Sequence, residues 1–280
     1  MINPVHTSVF HEDEKDFAEL KTIIKRKIGF NCEEYKQAHL KRRLAVRLRA
    51  NQSRSYKDYS ELLLCSAEEE IHLKETLTVN VTELFRNPET YESVRTTVLP
   101  ELVRTKGENR NLKIWSAGCS NGEEPYSIAI MLNEYLGSSA KRYNISILGT
   151  DIDDDSLTKA QAGLFQPKQL EKINKERLAK FFINKDKNYQ VIGDIQRMVH
   201  FKHHVMISGP KKSGFDLIFC RNVTIYFEQH LQEKLYMDFY NALNNGGYFV
   251  MGKTETMVGP AGQLFKHVDL RERIYQRKVK

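Results

Sequence analysis

An α/β fold preceded by an all-α N-terminal domain is what this sequence predicts, and three observations carry the expectation. From about residue 91 onward, short buried-type strands alternate with amphipathic helices, the rhythm of a doubly wound sheet. One strand, 112–115, runs through the small residues of 116–122 into a helix over 123–136. Residues 1–75 show helical periodicity and no strand pattern, which sets them apart as a helical domain.

In chain order, Phe17, Leu20, Ile24 and Ile28 fall at helical spacing and predict a helix over 14–28 that stops at Gly29. Leu40, Leu44 and Leu48 make the apolar stripe of a second helix over 35–50. No acid stands between Glu34 and Asp58, while Lys41, Arg42, Arg43, Arg47 and Arg49 do. Such a run is either a solvated helix face or a surface for an acidic partner. Further helices are expected over 56–64 and 68–77. Residues 76–90 are too β-branched and Asn-rich for a helix start and are expected to link the domains and contribute to a pocket. A helix over 91–104, the strand at 112–115, a strand at 145–149 and the helix after it follow. The rhythm then breaks over about 165–204, with strand-like pieces at 189–192 and 198–201 and a short loop at 183–188, which predicts a small inserted β-subdomain. A strand at 215–220, a helix at 228–243, a turn at 244–247, a strand at 248–252 and an antiparallel edge pair at 264–268 and 273–277 complete the sheet.

Bulk properties narrow the classes. At 280 residues, 40% apolar and 28% charged, the chain has core enough for two modest domains. No apolar run is long enough to span a bilayer and the N-terminus lacks a signal-peptide pattern, so a cytoplasmic protein without membrane insertion is expected. Cys32, Cys65, Cys119 and Cys220 are scattered without a CxxC pair, which points to free thiols and to no zinc site. His200, His203 and His204 lack converging partners at metal-ligand spacing, so no metal is expected.

The chemistry centres on the turn at 116–122. Its glycines, Gly118 and Gly122, are spaced Gly-x-x-x-Gly, which differs from the dinucleotide fingerprint. Glu123 and Glu124 stand at the start of the following helix, where they would repel a phosphate. They also suit an ordinary strand-to-helix turn with acids favoured by the helix dipole. A ligand with a base, a sugar and a cationic centre fits that position, and S-adenosylmethionine is one. Asp151, at the tip of the next strand, is placed to accept both ribose hydroxyls. Asn80, Thr82 and Arg86 can point from one short segment toward the same place, or serve as loop hydrogen bonders.

Several stretches converge on one resemblance. The runs 78–87 (TVNVTELFRN), 114–127 (IWSAGCSNGEEPYS), 149–153 (GTDID) and 215–227 (FDLIFCRNVTIYF) resemble the CheR family of chemoreceptor glutamate methyltransferases. The likeness covers nearly the whole chain. It implies a Rossmann-like S-adenosylmethionine-dependent methyltransferase domain with a β-subdomain insertion. It implies S-adenosylmethionine as cofactor, S-adenosylhomocysteine as its spent form, and receptor glutamate γ-carboxylates as acceptors. By position, Asn80, Thr82, Arg86, Gly118, Glu124, Asp151, Val205, Met206, Arg221 and Asn222 would line the cofactor pocket. Arg86 and Tyr226 would face the reacting centre. Arg43, Arg47 and Arg49 resemble the surface that meets acidic helices of the methyl-accepting chemotaxis receptors.

Two departures stand out. Where many members read Asn-Leu after the subdomain strand, this chain reads Val205-Met206, which leaves adenine recognition there to backbone groups. The short loop at 183–188 resembles members that do not tether to a receptor tail. A monomer without nucleic-acid partners is expected. A nucleic-acid methyltransferase is disfavoured, because Arg221-Asn-Val-Thr stands where amino-directed base methylases carry a Pro-Pro-aromatic turn. A lapsed cofactor-binding signalling module is the remaining alternative, motivated by Val205-Met206.

Overall fold

A computed structural model describes residues 13–78 and 82–279. It divides into two compact units, Met1–Val79 with Tyr226–Glu228, and Asn80–Ile225 with Gln229–Lys280.

The first unit is helical. Helix α1 (Glu14–Ile28) begins where the Asp13 carboxylate accepts the Lys15 N–H, and it ends at Gly29, whose φ of 70° is left-handed. Helices α2 (Gln37–Ala50), α3 (Tyr56–Cys65) and α4 (Ala67–Leu77) follow, the last two capped by the hydroxyls of Ser55 and Ser66. Their apolar faces meet in one core built on Phe17, Leu20, Ile24, Leu40, Leu44, Leu48, Tyr59 and Leu73, the stripe that the sequence spacing sets out. The chain returns to this unit through three residues far along the sequence. There Lys36 donates its N–H to the Tyr226 carbonyl at 2.8 Å, and Tyr35 pairs with Phe227.

One buried ion pair crosses that core. Arg47 grips Glu69 with two N–H groups at 2.9 and 2.5 Å, and the Tyr59 hydroxyl donates to the same carboxylate at 2.5 Å. The Glu69 side chain is 4% exposed and that of Arg47 16%. Burial pushes the Glu69 carboxyl up, but the hydrogen bonds from Arg47 and Tyr59 outweigh it and hold the carboxyl below the usual range.

The second unit is built on a seven-stranded sheet in the order β6-β2-β1-β7-β8-β10-β9. Strands β1 (Asn111–Ala117), β2 (Asn144–Asp151), β6 (Val199–His203), β7 (Phe215–Cys220) and β8 (Leu243–Met251) run parallel. Strands β9 (Phe265–Asp269) and β10 (Ile274–Arg277) add the expected antiparallel pair, with β10 lying next to β8. Helices α7 (Glu123–Leu136), α8 (Asp154–Ala162) and α11 (Gln229–Ala242) are the main crossovers. Ahead of them α5 (Pro88–Ser93) and α6 (Leu99–Lys106) are joined by a π-helical turn, Val94–Val98. All six residues of β7 are buried, as parallel strands covered on both faces require.

The insertion holds a small sheet of its own, and its strand pairing differs from the expectation. It forms a separate three-stranded sheet, β3-β5-β4, from Leu164–Phe165 (β3), Phe182–Lys185 (β4) and Asn188–Val191 (β5). Short helices α9 (Lys175–Phe181) and α10 (Gly193–Gln196) flank β4 and β5. The expected loop at 183–188 is thus a tight hairpin, turned at Asp186, whose φ is 55°. The strand near 200 is β6, which pairs with β2 in the main sheet and so lies outside the insertion. Alternation alone does not say which sheet a strand joins. Helix α8 begins where the Asp153 carboxylate accepts the Asp155 N–H.

Removing one partner from a buried ion pair leaves the other charge stranded. Arg47→Ala is expected to lower stability by about 3–5 kcal/mol in urea denaturation at neutral pH. Because the folded Glu69 carboxyl titrates below its unfolded value, the pair's contribution is present above the ordinary glutamate pKa and lost as pH falls through the lowered one. The gap between wild type and variant therefore narrows in acid.

Candidate active site

The chain leaves β1 toward β2 and β6 on one side, and β7 and β8 build the other side. This makes the carboxyl ends of β1 and β7 a topological switch point, the place where open α/β sheets bind ligands. Two turns meet there. After β1, the N–H groups of Gly118 and Cys119 both donate to the Thr150 carbonyl at 2.8 and 2.9 Å, which folds the small-residue turn back over β2. Gly118 has a φ of 78°, and a Cβ there would come within 2.5 Å of the Val223 side chain. The glycine thus admits a neighbouring loop, the one that follows β7.

The acids of the turn divide their tasks. Glu124 accepts the Ser116 hydroxyl at 2.8 Å and lies 3.6 Å from the Arg221 guanidinium. Burial pushes its carboxyl up, partly offset by Arg221 and Ser116. Asp151 accepts the Ser120 N–H at 2.8 Å and the Asp153 N–H at 3.1 Å. Burial raises its carboxyl too, against those backbone donors. Each carboxylate retains lone pairs for a ligand. Glu123 turns inward: it is fully buried, one oxygen accepts Gln169 Nε2 at 2.6 Å, and the other makes no hydrogen bond.

Arg86 is held by a strained backbone. Phe85 and Asn87 on either side have φ of 54° and 58°, a conformation that costs of order 1–3 kcal/mol each and gathers at functional sites. The Phe85 N–H donates to the Ser127 hydroxyl at 2.8 Å, and the Arg177 guanidinium stacks 3.9 Å from the Phe85 ring. From β7, Arg221 donates to the Arg86 carbonyl and to Asn87 Oδ1, both at 2.8 Å. Arg86, Glu124, Arg221 and the glycine turn are thereby brought together.

Of the other expected residues, Asn222 follows Arg221 with a left-handed φ of 59°. Thr82 is half-buried at the start of the Arg86 segment. Val205 and Met206 lie in the turn after β6, one residue beyond His204, whose N–H donates to the Asp151 carbonyl at 2.9 Å. Asn80 lies outside the described residues. Tyr226 belongs to the helical unit, where its ring meets His39 edge-on at 5.6 Å. On α2, Arg49 is exposed and Arg43 half-buried, while Arg47 is engaged by Glu69. His204, which the sequence sets aside as a metal ligand, is buried, and burial pushes its imidazole down to about 4; Glu255, 2% exposed, escaped the sequence reading. The signal for Glu255 was an acid three residues past Gly252 at the end of a parallel strand.

The description "CheR methyltransferase, all-alpha domain" matches residues 15–78, and "CheR methyltransferase, SAM binding domain" matches residues 80–274. The chemotaxis protein methyltransferase of Listeria innocua is 32% identical, over 89% of this chain and 92% of that protein. Its counterpart in Borreliella burgdorferi is 32% identical over 87% and 89%. Chemotaxis protein methyltransferase 2 of Vibrio cholerae is 33% identical over 87% and 86%.

Burial pushes the Glu123 carboxyl up to about 7. The folded site therefore holds its proton more tightly than the unfolded chain, and the stability this gives is lost as pH rises from the ordinary glutamate value through 7. Glu123→Gln keeps the acceptor for Gln169 and removes the charge. It is expected to raise stability at pH 8 by about 3 kcal/mol, the free energy of that displacement. At pH 4 the two proteins should unfold alike, as differential scanning calorimetry across pH would report.

Proposed function

The chain belongs to the CheR methyltransferase family and methylates chemoreceptors in chemotaxis with S-adenosylmethionine as donor; we propose that the acceptor is the γ-carboxylate of receptor glutamates and the product a methyl ester. The observation that carries the assignment of the crevice is its pair of desolvated carboxylates, Glu124 in the first turn of α7 and Asp151 at the end of β2, on either side of the turn after β1. That acceptor set suits ribose hydroxyls and a cationic amino-acid end, and it repels phosphates. When bound, S-adenosylmethionine supplies an electrophilic methyl group on a sulfonium centre. Asp151 would accept from the ribose, Glu124 would face the ammonium end, and Gly118, Thr82, Asn80, Asn222, Val205 and Met206 would shape the remaining walls.

A glutamate side chain with a pKa near ~4.3 is already ionised at neutral pH, so the acceptor needs no general base. What remains for the protein is alignment, which can supply roughly 7–11 kcal/mol. Arg86, fixed between two strained residues and locked through its carbonyl to Arg221, is assigned the carboxylate-positioning role. A guanidinium can grip a carboxylate with two parallel N–H groups.

Arg43 and Arg49 on α2 are proposed to steer acidic receptor helices by charge. Arg47 is set aside from that surface, since Glu69 engages its guanidinium. We further propose that the chain acts as a cytoplasmic monomer and does not tether to a receptor tail. The short hairpin turn at Asp186 supports the last point.

Incubating the protein and receptor with methyl-tritiated donor should label the receptor, and alkali should release the label as methanol. Alkali-stable label would overturn the ester assignment. Arg86→Ala is expected to reduce turnover about a hundredfold, the scale of lost alignment, with near-UV circular dichroism unchanged. Arg43→Glu combined with Arg49→Glu should slow receptor methylation several-fold at low salt, and the deficit should shrink as ionic strength screens it.

A further inference from the structure

Glu255 follows β8, beyond every stretch that the site has so far used. Its side chain is buried at 2% exposure, yet no cation pairs with it among the described residues. Backbone donors surround it instead. One carboxylate oxygen accepts the N–H of Asn222 at 3.0 Å and of Gly252 at 2.6 Å. The other accepts the N–H of Val223 at 3.0 Å, the N–H of Thr224 at 2.8 Å and the Thr224 hydroxyl at 2.7 Å. Three consecutive N–H groups of the loop after β7 therefore converge on one anion.

Gly252 is part of the same arrangement, since a Cβ there would fall 2.7 Å from the carboxylate. Helix α11 braces the same loop: Gln232 donates to the Thr224 carbonyl at 2.9 Å, and the Thr224 hydroxyl meets the Tyr236 hydroxyl at 2.8 Å. The residues so gripped are those that build the crevice. Asn222 is kept left-handed, Val223 is pressed against Gly118, and Arg221 enters the loop aimed at Glu124 and the Arg86 carbonyl.

We propose that Glu255 is a positioning residue for cofactor binding: its carboxylate holds the loop at 221–224 in the one conformation that closes the crevice floor onto Gly118. The proposal rests on the crevice being the S-adenosylmethionine site. An amide at this position has one acceptor oxygen, and its NH2 would confront the N–H groups that the second carboxylate oxygen now receives. The carboxylate acts through the loop and touches no substrate atom.

Titration calorimetry of the full chain with S-adenosylhomocysteine, and steady-state kinetics with receptor, test this. The expected result for Glu255→Gln is an affinity loss of roughly tenfold or more, the scale of hydrogen bonds to a charged group. KM for the donor should rise by a similar factor, while kcat at saturating donor changes much less. Thr224→Val, which deletes one of the side-chain contacts and keeps the backbone donors, should weaken binding about threefold in the same direction. A folded Glu255→Gln that keeps wild-type affinity and KM, with only its melting temperature reduced, overturns the proposal. So does wild-type binding by Thr224→Val if Glu255→Gln does not fold. Failure of the wild-type chain to bind S-adenosylhomocysteine would instead overturn the crevice assignment, and this proposal with it.

Discussion

A guanidinium buried at the centre of the second unit sets the terms for what surrounds it. The Arg221 side chain is 3% exposed, and a charge taken out of water must be met by fixed partners. Glu124 supplies the countercharge from α7, and the Arg86 carbonyl and Asn87 Oδ1 supply acceptors from the segment before α5. Three stretches, the outermost 135 positions apart, are thus tied at one point. The left-handed backbone at Phe85, Asn87 and Asn222 is intelligible in that light. Strain of this kind persists only where the surroundings over-determine it, and a desolvated cation with directional donors is such a surrounding.

The helical unit handles its cations differently. Along α2 the arginines look equivalent in sequence, yet the fold separates them: Arg47 points into the core onto Glu69, while Arg49 stays in solvent. The separation follows from helical geometry, since Arg47 lies three residues beyond Leu44 and one before Leu48, on the flank of the apolar stripe. A basic run therefore mixes structural and surface charges.

Much of the architecture was legible in the sequence because it rests on periodicity. The helices of the first unit, the strand–turn–helix at 111–136 and the closing antiparallel pair all follow from spacing and from glycine punctuation. The crevice residues were legible where they are contiguous, as in Gly118–Glu124 and Arg221–Asn222. What escaped is what depends on distant pairing. Strand β6 has the alternation of a hairpin partner, and only its register against β2 assigns it to the main sheet. Gly118 suggested a backbone near a ligand, whereas its missing Cβ makes room for Val223. Glu255 binds a loop 31 to 33 residues away; the acid after Gly252 is visible in the sequence, but the loop it meets is not.

The strand order leaves the main sheet with two edges, and their side chains bear on what could pair there. The main sheet terminates in β6 on one side and β9 on the other, and each outermost strand presents unpaired backbone that another chain could zip onto. Lys202 on β6 and Lys266 on β9 both protrude into solvent from those borders, as do His200 and His267. A like strand approaching either border would have to bring ammonium against ammonium and strip water from both. Edge lysines of this kind are a device that discourages edge-to-edge pairing of sheets.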